Sequence, residues 1–216
     1  MSDDRVVNIV RLGETDYSEA INRMNLLQRQ RINDEIDDTL LVLSHPEVVT
    51  IGPRARNDGV KPPLSYDSVS VDRGGGLTWH GPGQVVFYPI FKWNLSGEES
   101  VAKIISLIES WVINSLEILG IKAHRDDRMQ GVWVENKKIC SIGLSFLRWT
   151  SKHGFTINFD TPTGRVEGLQ GCGLGENITT SLSTLGYQIS HREIVDCVIK
   201  SMEESVSRKH SESSKE

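Results

Sequence analysis

The sequence lacks the features that would place it in a membrane, around a metal ion or on a nucleotide phosphate. Its uncharged apolar runs fall well short of the roughly 20 residues that a membrane-spanning helix needs. Its three cysteines, Cys140, Cys172 and Cys197, are an odd number without the spacing of metal ligands. No Gly-Lys-Ser/Thr sequence ends its glycine-rich run, and a strand-like apolar stretch follows that run where a nucleotide motif would begin a helix. We therefore expect no membrane helix, no metal site and no phosphate cradle.

Charge and the first residues argue against two further classes. The formal net charge of -5 argues against a nucleic-acid partner. The N-terminal residues Met-Ser-Asp-Asp-Arg lack the basic and apolar regions of a secretory signal, so we expect no export. Cysteines without a pairing pattern are typical of a reducing compartment, and we expect a cytoplasmic protein.

Length and composition bound the domain organisation. The 216 residues are enough for one substantial core and short for two domains. Hydrophobic residues at 38% and charged residues at 25% are ordinary for a globular protein. We expect a single domain over residues 1–206. The polar residues 207–216 are predicted to form a disordered and dispensable tail.

Apolar periodicity predicts strands and helices in alternation. Strands are predicted at residues 6–12, 40–43, 48–51, 85–91, 132–134 and 138–146. Helices are predicted at about residues 17–27, 101–119 and 192–206, and a Pro-rich loop at residues 54–65. The helix at 101–119 is interpreted as a core-packing helix without chemistry. Mixed elements with several hairpins indicate an α+β domain.

The most distinctive segment is the glycine run at residues 73–84, with the sequence Arg-Gly-Gly-Gly-Leu-Thr-Trp-His-Gly-Pro-Gly-Gln. Its five glycines would weaken a helix or a strand interior, so we interpret them as backbone that approaches another group closely. The apolar stretch at 85–91 follows at once and would mount this loop on a rigid strand, where binding sites tend to lie. A tight connection between two strands is the alternative interpretation.

Four segments in order resemble the octanoyltransferase family, the lipoyl(octanoyl) transferases also called lipoate-protein ligase B. They are the glycine run, the lysine-bearing segment at 131–143, His-Gly-Phe-Thr-Ile-Asn at 153–158, and Gln-Gly-Cys-Gly-Leu at 170–174 with Thr-Thr-Ser-Leu at 179–182. Residues 43–52 also resemble the first strand pair of that family. Motifs in order over most of the chain are more specific than any single motif. Gly171 departs from the pattern, since the family often carries proline before the cysteine.

The resemblance implies the fold shared by biotin and lipoate protein ligases, a mixed and largely antiparallel sheet flanked by helices. It also implies that Cys172 and Lys138 form a catalytic dyad. The glycines on either side of Cys172 would leave its sulfur accessible, although a lone cysteine is more often a small buried packing residue. Cys140 and Cys197 take that packing interpretation. An ammonium about 4 Å from a thiol would lower the thiol pKa by about three units, and the resting pair is either thiolate and ammonium or thiol and amine.

The implied activity is octanoyl transfer from octanoyl-acyl carrier protein to a lysine of a lipoyl domain, through an acyl-thioester on Cys172 and without a cofactor. The implied acceptors are the lipoyl domains of 2-oxoacid dehydrogenases and the glycine cleavage H protein. Because these partners are typically acidic, we expect a basic docking face. Its candidate residues are Arg54, Arg56, Lys122, Arg125, Arg128, Arg148 and Lys152.

The expected substrate-binding residues come from three of the motifs. Those of the glycine run would line the acyl and pantetheine channel: Arg73, Gly74, Gly75, Gly76, Leu77, Thr78, Trp79 and His80. Those of the other two motifs would close it: Ser141, Ile142, Gly143, His153, Gly154, Phe155 and Thr156. His80 and His153 could act as acids or bases, or only make orienting hydrogen bonds.

Three other functions remain open on the sequence. An ATP-dependent lipoate or biotin ligase would share the fold class but would need a nucleotide and would not need Cys172. A non-catalytic acyl-binding protein would retain its ligand without a covalent adduct. A cysteine hydrolase that uses Cys172 with His80 or His153 would release free fatty acid.

Overall fold

The computed structural model describes residues 5–169 and 178–210 of the chain. The elements follow one another in this order: β1 (Arg5–Glu14), α1 (Tyr17–Ile32), β2 (Asp38–Ser44), β3 (Val48–Ile51), α2 (Pro53–Asn57), β4 (Ser68–Ser70), β5 (Leu77–His80), β6 (Gln84–Ile90), α3 (Val101–Ile118), β7 (Ala123–His124), β8 (Val132–Val134), β9 (Lys137–Leu147), β10 (Thr150–Asn158), α4 (His191–Val206) and β11 (Arg208–His210). The helices predicted at about residues 17–27, 101–119 and 192–206 correspond to α1, α3 and α4, whereas strands follow one another in runs of two to four between helices.

Two sheets are present in the described part of the chain. The larger has eight strands in the order β11-β1-β2-β6-β10-β9-β8-β7, and the smaller has three in the order β4-β3-β5. In the larger sheet β1 runs parallel to β2 and to β11, whereas the other neighbouring strands are antiparallel. The predicted α+β class with a mixed, largely antiparallel sheet is confirmed.

Helices cover both faces of the larger sheet. Leu40 and Val42 of β2 face the core that α3 and α4 complete, while Leu41 and Leu43 face the core beneath α1. Successive side chains of a strand point to opposite faces, so a strand covered on both sides is apolar at every position. This explains why β2 and β6 appear in the sequence as continuous apolar runs without alternation.

The helix α3 lies where the sequence predicts it. Ser100 caps its first turn, accepting a hydrogen bond from the backbone N–H of Lys103. Its apolar face buries Ile104, Ile108 and Trp111 against the larger sheet. No helix among the described residues is long and apolar enough to cross a membrane.

Two of the predictions for irregular segments need correction. The segment predicted as a loop at 54–65 begins inside α2. This helix starts at Pro53, a residue suited to the first turn because it has no N–H to satisfy.

The tail predicted to be disordered from residue 207 begins with β11, which pairs with β1. Arg208 is fully buried there and its guanidinium donates to Asp38 at 2.8 Å and to Glu98 at 2.6 Å. The carboxylates that accept from it lie far away in the sequence, so composition alone gave no sign of this strand.

Candidate active site

A cavity of about 220 Å³ opens between the glycine run, the start of β9 and the loop that precedes β8. Ten of the sequence-predicted site residues line it: Arg73, Gly74, Gly75, Gly76, Leu77, Thr78, Trp79, Lys138, Ser141 and Ile142. The structure therefore brings the glycine run and the lysine motif to one site, although some 50 residues separate them in the sequence.

The glycines of the run allow neighbouring strands to approach closely. The N–H of Gly74 donates to the carbonyl of Leu144 on β9 at 2.9 Å. A Cβ on Gly52 would lie 2.3 Å from the carbonyl oxygen of Gly75, and a Cβ on Gly143 would lie 2.9 Å from that of Gly74. Gly75 itself has φ +95°, a conformation that L side chains rarely adopt. The interpretation of this run as closely approaching backbone is confirmed.

Arg73 holds the glycine run in place. Its guanidinium is buried and donates to the carbonyl of Thr50 at 2.9 Å, to the hydroxyl of Thr50 at 2.7 Å and to the carbonyl of Gly76 at 3.0 Å. Charge-assisted hydrogen bonds are stronger than neutral ones, so these contacts fix the backbone of the run against β3. Arg73 also adds a positive charge to the cavity wall.

Lys138 is buried at the start of β9, and its side chain lines the cavity. Its ammonium donates to the sulfur of Met129 at 3.0 Å. Its backbone N–H donates to the carbonyl of Ile178, and its carbonyl accepts from the N–H of Thr180, both at 2.9 Å. The position of Lys138 is therefore fixed from both ends, by the loop before β8 and by the segment that follows the cysteine motif.

Cys172, with its neighbours Gly171 and Gly173, lies outside the described residues. The nearest cavity-lining residues on either side of that motif are Leu169 and Thr179. The described residues on both flanks of the motif thus reach the cavity. Cys140 and Cys197 are both buried, Cys140 in β9 and Cys197 in α4, and both are free thiols. Burial raises the pKa of the Cys140 thiol to about 12, which suits a packing residue.

The remaining predicted residues line a second, smaller pocket of about 20 Å³, which is room for one water-sized group. They are His80, Gly143, His153, Gly154, Phe155 and Thr156. Arg73, Thr78, Ser141 and Ile142 line both spaces, so the small pocket lies next to the cavity. The glycine run therefore lies mostly at the cavity, whereas the residues predicted to close the channel lie mostly at the small pocket.

Buried histidines and tyrosines surround the small pocket. His80 donates from Nδ1 to the amide oxygen of Gln84 at 2.8 Å, since the Gln84 nitrogen itself donates to Trp79 and Asn158. His153 lies 2.8 Å from Asp72 through Nε2. Burial lowers the pKa of His80 well below its usual value and also lowers that of His153. Neutral imidazoles have no extra proton to release, so this geometry favours orienting hydrogen bonds over acid catalysis by His80 and His153.

Thr156 contributes a buried hydroxyl to the small pocket, and no described residue accepts or donates a hydrogen bond at its Oγ1. An unsatisfied buried hydroxyl costs about 1–3 kcal/mol. Such a group gains a partner when a polar part of a ligand reaches it. Thr156 lies opposite Ser141 in the pairing of β10 with β9, and Ser141 lines both spaces.

Sequence reasoning missed several residues that line the cavity. They are Gln84, Met129, Gln130, Asn158, Val166, Leu169 and Thr179, while Arg54 and Arg128, which also line the cavity, were predicted only for the docking face. Gln84 and Asn158 carried a detectable signal, because each is a polar residue at the end of an apolar strand, and their side chains bond each other at 2.9 Å. Met129 carried none, since an isolated methionine in a polar loop has no distinctive pattern.

Acidic neighbours offset much of the basic face expected for docking. Arg125 pairs with Glu109 at 3.0 Å, Arg128 with Asp126 at 2.7 Å, and Lys152 with Asp72 at 3.0 Å. Arg56 donates to the carbonyls of Ile51 and Val71. Of the candidates for the docking face, Arg54 and Arg128 also line the cavity.

Within residues 5–169 and 178–210, no three His, Cys, Asp or Glu side chains are grouped as metal ligands.

Comparison with known proteins gives consistent results. The model of the lipoyl protein ligase A/B catalytic domain matches residues 16–203. The octanoyltransferase of Caldicellulosiruptor bescii is 37% identical over 201 residues, which cover 89% of this chain and 88% of the relative. The probable octanoyltransferase of Pyrobaculum calidifontis is 36% identical over 195 residues, which cover 89% and 82%.

Solved structures with low identity share the fold. A bipartite lipoate protein ligase from Thermoplasma acidophilum superposes with a TM-score of 0.70 at 16% identity, covering 98% of this chain and 88% of the other. A biotin protein ligase from Aquifex aeolicus gives a TM-score of 0.55 at 15% identity, covering 93% and 68%. The predicted ligase-type fold is confirmed.

Proposed function

The chain belongs to the family of lipoyl protein ligase A/B catalytic domains, and on that premise we propose that it transfers octanoyl groups through a Cys172–Lys138 dyad. It is an acyltransferase, and octanoyl transfer in protein lipoylation is its activity, in common with relatives at 32–37% identity over most of the chain. The observation that carries the dyad is the buried ammonium of Lys138 at a cavity that the flanks of the cysteine motif also line.

Chain geometry supports a meeting of the two residues. Cys172 follows Leu169 by three residues, and three residues of extended chain span at most about 11 Å. Leu169 and Lys138 line the same cavity, and the backbone of Lys138 is bonded to Ile178 and Thr180 beyond the motif. Both described flanks of the cysteine motif thus lie near Lys138, which supports a Cys172–Lys138 pair.

The first half-reaction exchanges one thioester for another. The thiolate of Cys172 attacks the carbonyl carbon of the octanoyl thioester on the phosphopantetheine of acyl carrier protein. The tetrahedral intermediate collapses, the bond from carbon to the pantetheine sulfur breaks, and the ammonium of Lys138 donates its proton to the departing sulfur. The products are an octanoyl thioester on Cys172, a neutral Lys138 amine and free pantetheine thiol.

The second half-reaction restores the dyad. The amine of a lipoyl-domain lysine attacks the thioester carbon, the bond from carbon to the Cys172 sulfur breaks, and neutral Lys138 accepts the proton that the amine loses. The products are an octanoyl amide, a thiolate on Cys172 and an ammonium on Lys138. Conversion of a thioester to an amide is downhill, so neither half-reaction requires a nucleotide.

Electrostatics explain why a lysine suits both steps. An ammonium about 4 Å from the sulfur, at an effective dielectric of about 20, stabilises the thiolate by roughly 4 kcal/mol. Burial weakens solvent screening of that attraction, and the same ammonium donates its proton to the pantetheine thiolate as it leaves. Backbone N–H groups near Cys172 and along the glycine run would stabilise the oxyanion of each tetrahedral intermediate.

The partners follow from the chemistry. A soluble acyl donor that presents a thioester on a long arm can reach a buried cavity, which supports octanoyl-acyl carrier protein as the donor. The acceptors that we propose are lipoyl domains of 2-oxoacid dehydrogenases and the glycine cleavage H protein. A thiol nucleophile has to stay reduced, so we propose the reducing cytoplasm as its compartment.

Steady-state transfer without ATP tests this function. Octanoyl-acyl carrier protein and a lipoyl domain are incubated with the parent, with Cys172→Ser, with Lys138→Ala and with Cys197→Ser as the matched control. We expect octanoyl amide formation by the parent and by Cys197→Ser, and a loss of at least about 1,000-fold in the other two variants. Transfer by Cys172→Ser at the parental rate, or transfer only when ATP is added, would refute the proposal.

A further inference from the structure

Glu109 places a buried carboxylate inside the apolar face of α3. One carboxylate oxygen accepts the backbone N–H of Gly131 at 3.0 Å, and the other accepts the guanidinium Nε of Arg125 at 3.0 Å. Arg125 is half-exposed, so it offsets the charge of the carboxylate only from the solvent side. Burying a carboxylate is costly without strong partners, and the inward partner here is a backbone group of the loop that precedes β8.

Gly131 lies directly against the end of the Lys138 side chain. A Cβ on Gly131 would lie 2.6 Å from Cε and 3.3 Å from Nζ of Lys138, and 2.3 Å from the carbonyl oxygen of Cys140. The backbone of Gly131 also has φ +131°, so glycine is required both by conformation and by space. The hydrogen bond from Glu109 thus holds the piece of backbone that forms one wall around the lysine.

The same loop supplies a direct contact to the ammonium. Met129 accepts a hydrogen bond from Nζ of Lys138 through its sulfur at 3.0 Å. The carbonyl of Met129 accepts in turn from the indole N–H of Trp133 at 3.0 Å, and Trp133 is fully buried. The loop is therefore fixed at Met129 by Trp133 and at Gly131 by Glu109, with Lys138 held between these two points.

We infer that Glu109 is a positioning residue for Lys138, acting through the backbone of Gly131. This inference rests on the proposed function, in which the side-chain nitrogen of Lys138 must reach both the departing pantetheine sulfur and the attacking amine. A misplacement of about 1 Å can cost about 100-fold in rate, so a residue that fixes the lysine from outside the cavity affects turnover without touching substrate.

Glu109 also contributes a negative charge on the lysine side of β9. The carboxylate of Glu109 and the ammonium of Lys138 both lie close enough to Cys140 to act on its thiol, in opposite directions. Other described charged or titratable groups also surround the lysine. The loop contributes Arg125, Asp126 and Arg128, and β9 contributes Cys140. Arg54 and Arg73 lie across the cavity, and Glu167 accepts a hydrogen bond from Thr180. The carboxylate of Glu109 favours the ammonium form, which the first half-reaction consumes.

Two variants of Glu109 separate its hydrogen bond from its charge. Glu109→Ala removes both, whereas Glu109→Gln keeps an oxygen that can accept the N–H of Gly131. Glu98→Gln is the matched control, because Glu98 is equally buried and pairs with an arginine, Arg208, at the opposite edge of the sheet. Octanoyl transfer to a lipoyl domain is measured for each variant as kcat, KM for octanoyl-acyl carrier protein, and the pH profile of kcat/KM.

For Glu109→Ala we expect kcat to fall by about 10- to 100-fold with KM for the donor unchanged. For Glu109→Gln we expect kcat within about threefold of the parent, and the limb of the pH profile that Lys138 contributes should move to lower pH by about half a unit. That shift remains measurable should Glu109→Ala fail to fold. Glu98→Gln should lower the melting temperature without moving the pH profile.

Unchanged kcat in Glu109→Ala together with an unshifted pH profile in Glu109→Gln would overturn the inference. A loss of melting temperature in both variants without any kinetic change would overturn it equally, since Glu109 would then only stabilise the loop. Lys138→Ala is measured in parallel. If that variant retains parental activity, the proposed dyad itself fails, whereas an inactive Lys138→Ala beside a fully active Glu109→Ala refutes only the role of Glu109.

Discussion

Lys138 and Thr179 lie side by side as partners in a parallel β-bridge. The bridge joins the start of β9 to the residues that follow the cysteine motif, because the N–H of Lys138 donates to Ile178 and the N–H of Thr180 donates to Lys138. Lys138 and Thr179, which are 41 residues apart in the sequence, thus lie on segments that are tied through their backbones. This connection fixes the backbone of Lys138 against the described segment that follows the cysteine motif.

Gly131→Ala should abolish most of the transfer activity. The added Cβ cannot fit beside Cε of Lys138 and the carbonyl of Cys140, so either the lysine or the loop must move. We expect kcat to fall by about 100-fold or more. Gly97→Ala is the matched control, because Gly97 also has positive φ, at +93°, but no atom within 4 Å of an added Cβ. A Gly131→Ala enzyme as active as Gly97→Ala would contradict the packing of Lys138 against this glycine.

Thr156→Val should separate binding from stability. Its buried hydroxyl has no partner among the described residues, so an isosteric methyl group should leave the free energy of unfolding unchanged or raise it by up to about 1 kcal/mol. If the hydroxyl meets a polar atom of the acyl donor, kcat/KM for octanoyl-acyl carrier protein should fall by about tenfold in the same variant. Urea unfolding and steady-state kinetics measure the two quantities. A destabilised variant would show that the hydroxyl has a partner in the free protein.

Arg208→Leu should destabilise the fold without changing the chemistry. Arg208 is fully buried and pairs with Asp38 and Glu98. Its removal leaves the buried Glu98 without its ion-pair partner, whereas Asp38 keeps Arg31, at a cost of about 3–5 kcal/mol. Arg192→Leu is the matched control, since Arg192 is 90% exposed and its contact to Asp196 is 3.5 Å long. Urea denaturation should show the large loss only for Arg208→Leu. Equal stability of the two variants would contradict the assignment of β11 to the core.

The free energy of unfolding should decrease as the pH falls from about 6.5 to about 4, because folded His45 resists protonation in this range. Burial lowers the pKa of His45 from 6.5 to about 4, and its neutral ring donates from Nδ1 to the carbonyl of Thr15 and accepts at Nε2 from Tyr88. His45 binds a proton below about pH 6.5 in the unfolded chain but only near pH 4 in the folded chain. Its contribution to the free energy of unfolding is therefore fully present above pH 6.5 and is lost as the pH falls between these values. The shift is worth up to about 3 kcal/mol.

His45→Gln provides the comparison for this pH dependence, because glutamine does not titrate. The slope of unfolding free energy against pH between 6.5 and 4 should be smaller in His45→Gln than in the parent. Asp72 acts in a lower window, since the hydrogen bond from His153 holds the pKa of that carboxyl well below its usual value and its stabilisation is lost only below about pH 4. Parallel pH curves for the parent and His45→Gln would contradict the buried neutral state of His45.

The parts of the site that sequence could predict are those in which one local segment carries its own signal. The glycine run marks close backbone contacts by composition alone, and Lys138 is marked by its motif. Glu109 carried a signal that periodicity overlooked: it lies four residues after Ile105 and three before Val112, so a charge sits on the apolar face of α3. The interpretation of that helix as mere core packing therefore left out its one inward carboxylate.

Other features depend on contacts between distant segments. β11 exists because Arg208 meets Asp38 and Glu98, which are 170 and 110 residues away. The division of the predicted channel residues between a cavity and a small pocket depends on which faces of β9 and β10 meet the glycine run. Neither relationship is encoded in a local pattern, since register and layer order decide both.

Intact-protein mass spectrometry after incubation with octanoyl-acyl carrier protein, without ATP and without an acceptor, tests the central claim most directly. The account predicts one hydroxylamine-sensitive octanoyl adduct on the parent and on Cys197→Ser, none on Cys172→Ser, and disappearance of the adduct when a lipoyl domain is added. An adduct that persists in Cys172→Ser, or one that forms only with ATP, would contradict it.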